Sequence, residues 1–152
     1  MTTTIAQPKD LLGLIGHDLG TSDWLAIPQS DINLFAEATH DQQWIHVDVD
    51  RAKSGPFGGP IAHGYLTLSL LIPLWTQILV IENQGMAVNY GLNRVRFPAP
   101  VPAGSRVRLS ASLAAAEEVK GGGVQASIDA TMHLEGSDKP VCIAQMVHRY
   151  YP

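Results

Sequence analysis

The chain is short of charge. Only 16% of its 152 residues are Asp, Glu, Lys or Arg, against about 25% in an ordinary soluble domain. Hydrophobic residues make up 45%, enough for one real core. A chain this apolar with so few charges invites burial of surface between subunits. The 14 acidic residues outnumber the 10 basic ones, for a net charge of −4. No run of Lys and Arg forms a basic block, which excludes a nucleic-acid groove. There is one cysteine, Cys142, so no internal disulfide can form, in keeping with a reducing, cytoplasmic setting. Met1 to Pro8 has no apolar core of the kind an export signal needs. No repeat or low-complexity segment is present.

The stretch from Ile61 to Ile81 has no Asp, Glu, Lys or Arg. Its length alone would allow a membrane span. His63, Gly64, Thr67, Ser69, Pro73, Thr76 and Gln77 lie inside it, and no basic cluster flanks it. These features predict a helix buried in protein, over about residues 61–80, kinked or divided at Pro73.

The length suits a single domain, residues 1–152, with an N-terminal arm of about 1–18. Trp24 to Ile27 reads as a short strand. Pro28 stops it, and Ser30 is placed to cap a helix over residues 31–39, with Ile32, Phe35, Ala36 and Thr39 on one face and Phe35 the largest anchor. An irregular stretch follows to Pro60, with a turn of helix near 50–53 and a Gly/Pro loop at its end. The second half alternates. Val124, Ala126, Ile128, Ala130, Met132 and Leu134 interleave with polar residues, and Val107, Leu109, Ala111 and Leu113 repeat the pattern. Gly121–Gly123 turns one strand into the other, and residues 87–97 and 141–150 make two more. Strands joined by short turns form an antiparallel sheet, and an uncharged helix must be covered on most sides. The expected fold is α+β, a curved antiparallel sheet wrapped around one long apolar helix.

The polar residues concentrate at His40, Asp41, Gln42, Gln43, Trp44, His46, Asp48 and Asp50. His40 and His46 lack the i, i+4 spacing of zinc-binding helices, so no metal site is expected. No Gly-x-Ser-x-Gly elbow exists, and Cys142 falls within a strand. Gly121-Gly122-Gly123 lacks the helix and Lys of a phosphate loop. What remains is a carboxylate–imidazole pair, Asp41 and His46. On one helix they would point about 140° apart. They converge only if the chain leaves the helix near Asp41, and such a pair could hold one water and move protons near neutral pH. An Asx turn and a satisfied histidine would account for the same two residues.

Phe35-Ala-Glu-Ala-Thr-His-Asp41-Gln-Gln-Trp-Ile-His46-Val-Asp48, then Arg51-Ala52, resembles the hydratase motif of the MaoC-like dehydratase family. Gly55-Pro-Phe-Gly-Gly-Pro-Ile-Ala-His63-Gly64-Tyr-Leu-Thr-Leu-Ser resembles its second block, and Asn89-Tyr-Gly-Leu-Asn93-Arg-Val-Arg-Phe-Pro-Ala-Pro-Val its third. The likeness runs from about Ser22 onward and is closest to the single-domain branch similar to nodulation protein N and (R)-specific enoyl-CoA hydratases.

The resemblance implies a hot-dog fold, a homodimer, and a hydro-lyase that adds water to a trans-2-enoyl-CoA, or removes it from an (R)-3-hydroxyacyl-CoA. Coenzyme A enters as part of the substrate, and no separate cofactor is implied. The family's catalytic pair falls on Asp41 and His46, and its oxyanion donor on the backbone N–H of Gly64. A glycine near a helix start lets a carbonyl approach unpaired N–H groups. Gln43, Asn89, Arg94 and Arg96 are candidate substrate contacts, with Lys53 a further candidate for the coenzyme A phosphates. His63 is expected to be structural. Two departures stand out: His40 replaces a glycine, and Gln43-Trp44 replaces Asn-Pro. A thioesterase on the same fold and a non-catalytic acyl-CoA-binding partner subunit are the rival readings, and the Asp-x4-His spacing speaks for the hydratase.

Overall fold

The computed structural model describes residues 1–152. The second half forms four long strands: β5 (Met86–Arg96), β6 (Arg106–Val119), β7 (Gly123–Leu134) and β8 (Cys142–Tyr151). Their alternation sets one dry face. Val124, Ala126, Ile128, Ala130 and Met132 are at most 2% exposed, and Leu113 and Leu109 stand opposite Ile128 and Met132. Gly121 and Gly122 turn β6 into β7 at φ 85° and 75°, a left-handed backbone that glycine adopts without steric cost.

All neighbours in this sheet are antiparallel, in the order β2-β6-β7-β8-β5, with β3 also on β6. β2 is Asp18–Thr21 and β3 is Leu25–Ala26, the latter shorter than the strand expected over 24–27. β5 occupies one edge and pairs only with β8.

The apolar stretch is helical but not one continuous helix. α4 covers Gly64–Ser69 and α5 covers Leu71–Ile78, with Leu70 between them. The break lies at Leu70, three residues before Pro73, the residue at which the sequence places it. Proline has no N–H for the Ser69 carbonyl four residues back, and its ring crowds that carbonyl. Helix stops at Ile78, because Leu79–Ile81 become β4 and pair in parallel with β1 (Thr3–Ile5). No helix is long and apolar enough to cross a membrane. Leu74 and Ile78 are fully buried in the cluster that holds the dry face of the sheet. An antiparallel sheet laid along this apolar segment is the expected α+β, hot-dog arrangement.

The N-terminal residues join the core. Beyond β1, residues Pro8–Gly13 form a 3-10 turn that buries Leu11 completely. α1 covers Gln29–Thr39 and begins two residues earlier than expected, with Pro28 at its cap and no side-chain cap bond from Ser30. Ile32 and Ala36 are its buried anchors, while Phe35 is only partly buried. Two short helices follow, α2 (Trp44–Val47) and α3 (Val49–Lys53). The second matches the turn of helix expected near residues 50–53.

Candidate functional site

α1 ends at Thr39 and His40 takes φ 65°, ψ 16°. It is the one non-glycine residue with positive φ, and this explains why a glycine suits the position. The left-handed step leaves Asp41–Gln43 outside any helix, as convergence of Asp41 and His46 requires. Asp41 Oδ1 then accepts from Gln43 N–H at 3.4 Å.

His46 lies on α2. The Asn-Pro of the family pattern would supply a capping side chain and a proline at the first helical position, both favourable there. Here Gln43 caps α2 without a side-chain bond. Trp44 anchors the helix differently. The Arg51 guanidinium lies over its ring at 4.3 Å, and a Cβ on Gly55 would come within 2.9 Å of that ring. Gln29, which sequence reasoning passed over, ties α1 to α2 by donating to the His46 carbonyl at 2.7 Å.

The His46 side chain is 6% exposed. Its Nδ1 lies 2.7 Å from the Ile61 carbonyl. A carbonyl can only accept, so Nδ1 carries the proton and Nε2 keeps its lone pair in the neutral ring. Burial holds the His46 pKa below 6.5, and charge on His63 acts in the same direction; the Ile61 carbonyl and the Asp41 carboxylate oppose this. The Ile61 N–H in turn donates to Ile45 O at 3.0 Å, which closes the link between α2 and the segment before α4.

His63 precedes α4 in extended conformation and is 2% exposed. Its ring stacks on His46 with centroids 4.0 Å apart, and the Phe35 ring tilts against the same His63 ring at 4.9 Å. Its Nε2 lies 3.0 Å from the Asp41 carbonyl. One donor atom from each of Asp41, His46 and His63 lies within 4.8 Å of the others. No i, i+4 spacing links these three residues along the chain, and only folding brings them together. His46 Nδ1 and His63 Nε2 each already face a carbonyl.

His46 and Gly64 share a cleft of about 260 Å³ with Phe57, Ile61, Ala62, Thr67, Phe97, Val141 and the Pro98–Val101 segment. Gly64 N–H has no hydrogen-bond partner within the chain. Lack of a Cβ also matters here, because one would lie 3.1 Å from the Phe97 ring. Phe57 and Phe97 were within reach of sequence reasoning, since both lie in the quoted motif blocks.

The other candidates do not converge on this cleft. Asn89 lines a separate apolar cavity with Leu92, Met146 and His148. Arg94 sits in a polar groove with Asp129 and Gln145. Arg96 is exposed and donates to its neighbour's carbonyl at Val95. Gln43 and Lys53 are exposed, with no side-chain hydrogen bond. Cys142 is fully buried and its thiol is pushed up to about 11, so it stays protonated.

The model of the MaoC like domain matches residues 10–132. The 3-hydroxyacyl-thioester dehydratase Z of Mycobacterium tuberculosis is 51% identical over 147 residues, 97% of each chain. Nodulation protein N of Rhizobium meliloti is 43% identical over 141 residues, 91% of this chain and 88% of that one. Among solved structures, the monoamine oxidase regulatory protein of Archaeoglobus superimposes with a TM-score of 0.78 at 22% identity, covering 100% of this chain and 99% of the other.

Proposed function

The chain belongs to the MaoC-like dehydratase family, and from that premise we propose that it is a hydro-lyase for acyl thioesters, adding water to a trans-2-enoyl-CoA to give an (R)-3-hydroxyacyl-CoA and catalysing the reverse. The relative at 51% identity is named for the dehydration of 3-hydroxyacyl thioesters. Coenzyme A belongs to the substrate, and no other cofactor has a part in the reaction.

The observation that carries this reading is the free Nε2 of His46, in a cleft that also holds the unpaired N–H of Gly64. The Asp41 carboxylate and His46 Nε2 grip one water. His46 Nε2 takes a proton from it as its oxygen bonds to C3. The C2=C3 electron pair moves toward the thioester carbonyl, whose developing charge is met by Gly64 N–H. Such a donor contributes about 3–4 kcal/mol to the transition state. His46 then returns the proton to C2, so one water is consumed and the enzyme is unchanged. Dehydration runs the same steps backward. Burial keeps His46 neutral near pH 7, the form this base needs.

The unit is a homodimer in this reading. β5 leaves one side of its backbone unpaired, and Met86, Tyr90 and Leu92 are 46–57% exposed along it. A second copy of the strand would continue the sheet and cover these side chains. The single free cysteine suits the cytoplasm. Arg94, Arg96 and Lys53 are proposed to meet the coenzyme A phosphates, since all three are cationic and solvent-facing.

Purified protein should bleach the conjugated thioester absorbance of short trans-2-enoyl-CoA substrates without releasing thiol. Thiol release from saturated acyl-CoA would instead identify a thioesterase. Binding of acyl-CoA with neither reaction would identify a non-catalytic subunit.

A further inference from the structure

The His63 side chain touches both members of the proposed pair, and it immediately precedes the proposed oxyanion donor Gly64. Its Nε2 faces a carbonyl, that of Asp41, and so carries the proton in this bond. Its Nδ1 is buried with no partner. The one hydrogen bond this ring makes is therefore the one to the Asp41 backbone. The Asp41 main chain has few other supports. Its N–H reaches Thr39 Oγ1 only at 3.5 Å, and its exposed carboxylate is held only by the 3.4 Å bond from Gln43. The shortest bond that fixes this residue is the one from His63. The His63 ring also forms a wall against the His46 imidazole, with planes inclined by 27°.

We propose that His63 is a positioning residue for the hydration reaction: its Nε2–H clamps the Asp41 backbone, and its ring aligns His46, so that carboxylate and imidazole meet at one water. The proposal rests on the hydro-lyase reading of the same site. A histidine kept only for packing would need neither the bond to Asp41 nor a stacked partner that changes protonation.

Two replacements separate the two contacts. In His63→Gln the side-chain amide keeps a donor near the place of Nε2 but loses the ring. In His63→Phe the ring remains and the donor is lost. His63→Phe should lower kcat by about 10²-fold, the scale of a catalytic group misplaced by about 1 Å. Its KM for a short enoyl-CoA, and its affinity for saturated butyryl-CoA, should stay within a few-fold of wild type. His63→Gln should recover a large part of kcat.

Amide exchange, read by mass spectrometry, should quicken over residues 40–43 in His63→Phe and not in His63→Gln. This readout is independent of turnover. Wild-type protein without hydratase activity would overturn the parent reading. Wild-type turnover with both variants equally active per folded molecule would overturn the role of His63. Unchanged exchange at residues 40–43 in His63→Phe would overturn the clamp in either case.

Discussion

His46 donates Nδ1–H to the carbonyl of Ile61, fifteen residues further along the chain and 2.7 Å away. That bond does more than anchor a ring. It fixes which nitrogen of a neutral imidazole keeps its lone pair, and so gives the proposed base a direction. Ile61 also lines the cleft, just before Ala62, His63 and Gly64. The proposed base and the proposed oxyanion donor are therefore held by one short segment.

Asp41→Asn and His46→Gln should each lower hydration of a short enoyl-CoA by about 10³-fold or more, at the upper end of acid–base contributions. Far-ultraviolet circular dichroism should be unchanged, because neither side chain supports the sheet. Near-normal turnover in both variants would refute the assignment.

The rate of hydration should depend on pH through His46. The neutral ring is the proposed base, and its pKa is held below 6.5. So kcat/KM should be level near pH 7 and fall on the acid side with an apparent pKa under 6.5. In His46→Gln, residual activity should lose this limb.

Stability should follow the same sign. Burial lowers the pKa of His46, His133 and His148. Below pH 6.5 the unfolded chain binds more protons than the folded one, so stability falls as pH drops from there toward the folded values. Above 6.5 these groups impose no penalty. The urea midpoint at about pH 5.5 should be lower than at about pH 7.5.

Gly64→Ala would set a methyl 3.1 Å from the Phe97 ring. The ring or the start of α4 must move, and the geometry of the Gly64 N–H with it. A fall in kcat of about 10–100-fold is expected, short of the loss of an entire oxyanion donor. Adding Phe97→Leu should restore part of it. A Gly64→Ala enzyme with wild-type kcat would count against this donor.

Leu92→Glu would place a carboxylate on the open edge of β5, where Leu92 is 46% exposed. Light scattering should give about twice the monomer mass for wild type and a shift toward monomer in the variant. A wild-type monomer would remove the dimer from the proposal.

The β half of the fold was open to reading because its signal is local. Strict alternation in β7, the glycines after β6 and the prolines after β5 each act within a few residues. The helix boundaries were harder. Pro73 announces a break, but the affected carbonyl is that of Ser69, and the observed interruption is at Leu70. The strand at Leu79–Ile81 exists because Thr3–Ile5 lie beside it, a pairing across more than seventy residues that no local pattern carries.

The sequence by itself determined the chemistry on offer: Asp41 and His46 at hydratase spacing, an uncharged apolar segment with Gly64 at its start, and a family pattern with two departures. Tertiary structure alone decided what those departures mean and who the partners are. His40 reaches a left-handed backbone without being glycine, and Trp44 replaces the helix-starting proline by packing on Arg51 and Gly55. The structure also set the structural His63 against both Asp41 and His46, and placed Asn89 and Arg94 outside the cleft that His46 and Gly64 share. Hydrogen bonds and ring stacks depend on distances of a few ångströms between residues far apart in the chain, and only folding sets those.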